Sequence, residues 1–368
     1  MNTRRRFPEE AGIFVILVLV FIAFSLISDN FATTSNSKTL LLNGTVIGFL
    51  ALGQTFVLLT GGIDLSTGAN VALTGMFAAE LMSRGFSWIP ASLAALALGT
   101  LVGVANGLII HYIKVPPFIV TFAIQGVASS IPLIITHGQS VSVKDINFSF
   151  IGQGFVAGIP TPVVMLLLAV VIAAFLLHRT VYGRHVYAYG GNRDAARLAG
   201  VHLARTTVSV YAVSGLCAGF GGLIATSRLG TGFPTTGLGN ELFFSIAAAV
   251  VGGVSLFGGT GSVLGALIGA VLIAAVSNGM NVANVESYWQ PLVIGVIILL
   301  GVSLDTYRRV ISGRSLPPWL GRLRGARTRQ ATVARVHSSD SLASHVNQDT
   351  TQSESVSSRD TTGSTKPE

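Results

Sequence analysis

Between residues 11 and 305 the chain repeats one pattern about ten times: an apolar run of close to 20 residues, then a short polar or glycine-rich interruption. A hydrocarbon core about 30 Å thick takes roughly 20 residues of α-helix to cross, and every backbone polar group within it must be satisfied internally. The pattern predicts an all-α polytopic membrane protein of about ten transmembrane helices. The expected spans are 11–28, 40–60, 66–83, 89–112, 117–136, 161–178, 206–226, 242–258, 262–281 and 289–305. Only 10% of the residues are charged and the mean hydropathy is +0.67, against roughly 25% charged in a soluble domain.

The few cations orient the bundle. Arg4, Arg5, Arg6, Lys114, the 179–205 segment and Arg308, Arg309 and Arg314 fall on one side of this topology, and Lys38, Arg84, Lys144 and Arg228 on the other. Short cytoplasmic loops carry the excess of Lys and Arg, so both termini and the 179–205 loop are expected in the cytoplasm. Arg4–Arg6 followed by Ile13–Ile27 looks like a signal peptide but lacks a small-residue cleavage site, and reads as an uncleaved first helix. The net charge of +8 is explained by these orientation signals. No basic face is interleaved with aromatics, so no nucleic-acid partner is expected. Residues 1–10 form a short cytoplasmic N-terminus, 11–310 the membrane domain, and 311–368 a tail rich in Ser, Thr, Arg and Asp, opened by Pro317-Pro318 and expected to be disordered. Residues 137–160 make the longest exterior loop, either a contact for an external partner or a plain connector.

Glycines punctuate the spans. Gly99, Gly103 and Gly107 form one row at four-residue spacing, Gly261, Gly265 and Gly269 another, and Gly215 and Gly219 a shorter one, as helices in close contact within lipid require. Gly61-Gly62-Ile63-Asp64-Leu65-Ser66-Thr67-Gly68 interrupts an apolar stretch. Asp64 and Ser66 there are placed to bond the freed N–H groups ahead of the next span. Two readings stand: an N-cap in a cytoplasmic turn, or a break near a substrate route, where an intramembrane carboxylate must be paired or wetted. Gly252 and Gly253 echo this break in the second half. Gln54, Asn106, Gln125, Asn278 and Asn281 suit helix–helix hydrogen bonds or the lining of a polar path, and Cys217 a small buried hydrophobe.

The segment Tyr182–Thr207 carries Arg184, Arg193, Arg197 and Arg205 and a helix-like run of small residues, Ala195 to Gly200. A large cytoplasmic loop of this kind is suited to being gripped by another molecule. Catalytic chemistry is sparse. None of Lys38, Lys114, Lys144 and Lys366 follows a glycine, so a Walker-type phosphate loop is absent. No metal-ligand spacing and no Ser/His/Asp set stands out, so no metal, cofactor or catalytic residue is expected.

Five segments together resemble the ribose-type sugar permeases of ABC importers: LLTGGIDLSTGANVALTG at 58–75, NGLIIHYIKVPPFIVTFA at 106–123, YGRHVYAYGGNRDAARLAGV at 182–201, GGVSLFGGTGSVLGALIGAVL at 252–272 and SNGMNVANVESYWQPLVIGVIILLGVSLD at 277–305. The similarity runs from about Phe31 to Arg309. Thr67 stands where that family often has valine, and the tail after Arg314 extends past the usual family end. The resemblance implies a type II importer-like bundle in a bacterial inner membrane, not itself an enzyme. It would work with cytoplasmic ATPase subunits, an external sugar-binding protein and a second permease subunit to translocate a ribose- or xylose-like monosaccharide. Asn192 to Gly200 would then dock on the ATPase as a coupling helix, with Ala195, Ala196 and Arg197 on it and Tyr182, Gly183, Arg184, Gly190 and Gly191 flanking it. Gly61, Gly62, Asp64, Ser66, Asn106, Gly252 and Gly253 would mark the helix breaks or the path. The competing readings are an ion-coupled secondary transporter using Asp64 and Glu80, a receptor or scaffold, and a permease for another solute such as a nucleoside.

Overall fold

The structure, a computed structural model, describes residues 9–311. Arg4–Arg6, Arg314, Pro317-Pro318 and the expected tail from residue 312 onward lie outside the described residues. Thirteen α-helices follow in order among those described. They are α1 Glu9–Ile27, α2 Thr34–Leu59, α3 Thr67–Ser83, α4 Trp88–Leu108, α5 Pro117–Thr136, α6 Ile146–Gln153 and α7 Thr161–Arg179. Then come α8 Val181–Gly191, α9 Arg193–Leu198, α10 Leu203–Leu229, α11 Glu241–Val251, α12 Val263–Val282 and α13 Gln290–Ile311. One compact unit ends at Asp305; Thr306–Ile311, the last residues of α13, belong to a second.

Each of the ten expected spans meets a helix. Eight of them are long and apolar enough to cross a membrane. The other two, α3 with 17 residues and α11 with 11, are shorter. Each abuts a glycine-rich connection, which stops the helix before it reaches full length. The fold is thus an all-α polytopic membrane protein with broken helices.

At the centre stands α2, buried continuously from Gly44 to Leu59. Around it pack α7, α10, α11 and α12. The outer helices show apolar side chains to the surroundings: Phe14 and Leu26 on α1, Phe122 on α5, Leu168 and Phe175 on α7, Leu299 on α13. In water such a surface would aggregate, whereas against acyl chains it costs nothing. The Gly99/Gly103/Gly107 row of α4 lies directly on α10. A Cβ at Gly99 would stand 2.9 Å from the Gly215 carbonyl and one at Gly107 2.5 Å from Val208 Cα. Gly265 and Gly269 likewise seat α12 on α11, against Gly252 and Ala248. Gly261 is not part of that helical row. It precedes α12 with φ +140° and belongs to the connection before it.

The 137–160 segment has structure of its own. It contains α6, a strand β1 (Val141–Ser142) and a hairpin of β2 (Phe155–Val156) with β3 (Ile159–Pro160). β1 pairs antiparallel with β4 (Thr231–Gly232), just after α10. Ser227 fastens α6 to the end of α10: its hydroxyl accepts from the Gly152 N–H at 2.7 Å and donates to the Phe148 carbonyl at 2.6 Å. This side of the molecule is a built cap rather than a slack loop.

Candidate functional site: a glycine junction and a buried carboxylate

α2 ends at Leu59, and Gly61, with φ +75°, turns the chain. Side chains rarely adopt that conformation, so the turn calls for glycine. Beyond α11 the chain runs through Gly258 (φ +82°) and Gly259 (φ +76°). The Gly259 N–H donates to the Leu59 carbonyl at 2.9 Å, filling one of the acceptors that a helix C-terminus leaves open. The end of α8 closes on the same spot. A Cβ at Gly190 would collide with the Leu59 carbonyl and stand 2.5 Å from the Gly259 nitrogen, and one at Gly258 would stand 2.8 Å from Gly61 N and 3.0 Å from Gly190 Cα. Three stretches of main chain from distant parts of the sequence meet with no side chain between them. One turn earlier on α8, the Tyr187 hydroxyl donates to the Gly261 carbonyl at 2.9 Å.

Beyond this junction the first break turns inward and buries Asp64, which is 1% exposed. Its Oδ1 accepts from the Ser66 N–H at 2.9 Å and the Ser66 hydroxyl at 2.6 Å, and its Oδ2 from the Ser214 hydroxyl of α10 at 2.7 Å. Ser66 Oγ in turn accepts from Asn106 Nδ2 of α4 at 2.8 Å. Gln54 of α2 spans the Asp64 backbone, donating to its carbonyl and accepting from its N–H. One carboxylate therefore joins the break to α10, with α2 and α4 held beside it. Ser214 lies about 16 Å along α10 at 1.5 Å rise per residue, far from the helix end. Asp64 is no surface cap in a turn. The expectation that Ser66 caps α3 is also corrected: its hydroxyl makes no capping bond, because Asp64 and Asn106 occupy it.

Polar atoms without partners surround this cluster. The Tyr211 hydroxyl beside Gly62, Asn70 Oδ1 and Asn106 Oδ1 are buried and have none. Each such atom costs about 1–3 kcal/mol unless something reaches it.

The 179–205 segment forms two helices where sequence suggested one. α8, which was not expected, packs Gly183 against the Leu177 main chain and buries Val186. Tyr182 stacks on Phe56 of α2 at 6.4 Å between ring centroids. α9 lies within the expected Asn192–Gly200 segment and starts before the run of small residues at Ala195. Asn192 caps it, accepting the Ala195 N–H at 2.9 Å, and Gly200 ends it with φ +82°. Of this helix only Ala196 is buried. Arg184, Gly191, Asn192, Ala195, Arg197 and Gly200 are exposed, and Leu198 is 86% exposed. The capped helix presents an exposed leucine among arginines.

The residues expected at the helix breaks or the path do not form one group. Gly61, Gly62, Asp64, Ser66 and Asn106 come together, with Gln54, Ser214 and Tyr211, which sequence reasoning had not joined to them. Gly252 lies elsewhere, against Gly265 of α12, and Gly253, with φ +87°, near Ile13 of α1. It is the far end of that connection, Gly258-Gly259, that meets the first break. Its signal was the φ-permissive Gly-Gly pair itself, matched in Gly61-Gly62 and Gly190-Gly191. Among the described residues no group of three or more His, Cys, Asp or Glu side chains is placed to hold a metal ion.

Residues 36–302 match the protein family described as branched-chain amino acid transport system / permease component. The chain is 38% identical over 311 residues to the ribose import permease protein RbsC of Escherichia coli K12, covering 83% of this chain and 96% of that one. It is 39% identical to RbsC of Bacillus subtilis, over 81% of this chain and 92% of that one. Against the xylose transport system permease protein XylH of Haemophilus influenzae it is 34% identical, over 81% and 96%. No solved structure matches it.

Proposed function

Because this chain belongs to the branched-chain amino acid transport system / permease component family, and is a multi-pass membrane transport subunit rather than an enzyme, we propose that it is the conduit of an ABC importer for a monosaccharide of the ribose or xylose kind. Relatives named for ribose, D-allose, L-arabinose and xylose transport support the solute class. On this reading ATP is hydrolysed on separate cytoplasmic subunits, an external binding protein delivers the sugar, and a second permease subunit completes the pore. Both termini and the 179–205 segment lie in the cytoplasm of a bacterial cell.

The observation that carries the coupling role is the glycine junction. α9 offers an exposed, arginine-flanked surface, and the guanidinium groups can bond carboxylates at the rim of a groove. α8, joined directly to α9, is locked through Gly190 to the ends of both broken connections. A push on α9 thereby reaches Leu59 and Gly259 through backbone, with no compliant side chain to absorb it. Tightly packed parts of this kind switch between discrete arrangements rather than bending gradually. Both acids named for the ion-coupled alternative are engaged. Glu80 is paired with Arg84 at 2.7 Å at the end of α3, and Asp64 is enclosed by hydroxyls.

Reconstitution in liposomes tests this. The chain with its ATPase and sugar-loaded binding protein is expected to accumulate labelled pentose only with ATP inside the vesicle compartment that holds the ATPase. Uphill uptake by the chain alone, driven by a proton or sodium gradient, would replace the proposal with the carrier reading.

A further inference from the structure

At the end of the bundle opposite the glycine junction, α2, α3, α10, α11, α12 and α13 line an open cavity of about 520 Å³. Ligand pockets commonly fall within ~300–1,000 Å³. One wall is apolar, with Val46, Ile47, Val71 and the buried ring of Phe244. The other is polar, with Arg228, Glu241, Ser277 and Gln290. The polar groups are held in place. Arg228 donates from Nη1 to the Leu42 carbonyl at 3.1 Å and from Nη2 to Asn43 Oδ1 at 3.0 Å. Gln290, 7% exposed, accepts from the Ser277 hydroxyl at 2.9 Å and donates to Asn281 Oδ1 at 2.7 Å. Glu241 differs: its Oε2 is buried and without a partner. A buried, unsatisfied carboxylate oxygen in a pocket wall is an acceptor in need of a donor.

We infer that this cavity is a sugar-contacting site within the permease, with the Glu241 carboxylate accepting hydroxyl protons of a neutral polyhydroxylated ring. The inference rests on the proposed importer function and deepens it. One arginine and one glutamate leave the lining without net charge, which suits a neutral solute. Amide and hydroxyl groups supply donors and acceptors, as a ring of hydroxyls needs, and Phe244 adds apolar surface for the C–H side of such a ring. Arg228 spends one N–H of each terminal nitrogen on α2, and its remaining N–H groups are donors for ring oxygens.

The test uses the full chain reconstituted with its ATPase and binding protein, with D-ribose, D-xylose and L-leucine as probes. Glu241→Gln is expected to lower pentose uptake roughly tenfold, the size of one hydrogen bond to a charged group, while ATP hydrolysis stimulated by the loaded binding protein stays within about twofold of the parent. Thr236→Cys provides a second readout, since Thr236 lines the cavity and the native Cys217 is buried. Pentose is expected to slow maleimide labelling of that cysteine severalfold. Pentose uptake unaltered by Glu241→Gln, or labelling that ignores pentose, overturns the site while leaving the importer function intact. Where Glu241→Gln does not assemble, the labelling result decides. Protection by leucine and not by pentose overturns the sugar assignment, and wild-type vesicles that import no monosaccharide overturn the proposed function itself.

Discussion

The two ends of α2 are built on opposite principles. At Leu59 three glycine-bearing segments touch main chain to main chain, and a methyl group at Gly190 has nowhere to go. At Asn43 the same helix faces a cavity edged by long polar side chains. Between them Asp64 fastens the first break to α10. On the proposed coupling, the difference gives one helix two mechanical roles: a stiff end that receives displacement and a roomy end that presents it to a solute. Side chains that reorient are useful at the second and harmful at the first.

The most damaging way to break this contrast is to place a side chain in the stiff end. Gly190→Val is expected to abolish coupled uptake and to cost about 3 kcal/mol or more of stability through overpacking against backbone that cannot move aside. Thermal unfolding in detergent and vesicle uptake would both show it, and a normally active Gly190→Val protein would dissolve the junction as a working part. Next in size is Asp64→Leu, which strands the Ser214 hydroxyl and the Ser66 donors. About 1–3 kcal/mol per orphaned group is the expected loss, with import or assembly impaired; normal expression and full transport would show that the break needs no carboxylate. Arg197→Glu should spare the fold, since an exposed charge usually matters by less than about 0.5 kcal/mol. It should nevertheless separate ATP hydrolysis from uptake, and transport at the parental rate would remove α9 from the coupling assignment. The smallest effect sharpens the comparison by a single residue: Gly191, next to Gly190, has open space around it, so Gly191→Ala is expected to be close to silent in both assays.

Much of this architecture was legible from residues alone, because the bilayer permits few solutions. Ten apolar runs gave ten helices in the right places, and the Gly99/Gly103/Gly107 row announced the close contact with α10. What could not be read was convergence. Nothing local says that Gly190, Gly61 and Gly259 share one point, since each pair suits an ordinary turn equally well. The tie between Asp64 and Ser214 spans 150 residues, and a serine inside an apolar helix carries no mark of its partner. The Glu241 cavity was invisible for the same reason, as its walls come from six separate helices. α8 escaped notice because its mixture of tyrosine, glycine and arginine has no clear apolar period, and its helical state comes from packing on α2 and α7.

The contact of Gly190 with Leu59 and Gly259 involves only peptide groups and α-carbons. It contains nothing that titrates, oxidises or accepts a modification, and its short range leaves little for dissolved ions to screen. This junction should therefore hold alike in acid or alkaline surroundings and in dilute or concentrated salt. Any environmental tuning of this contact has to come from groups outside it.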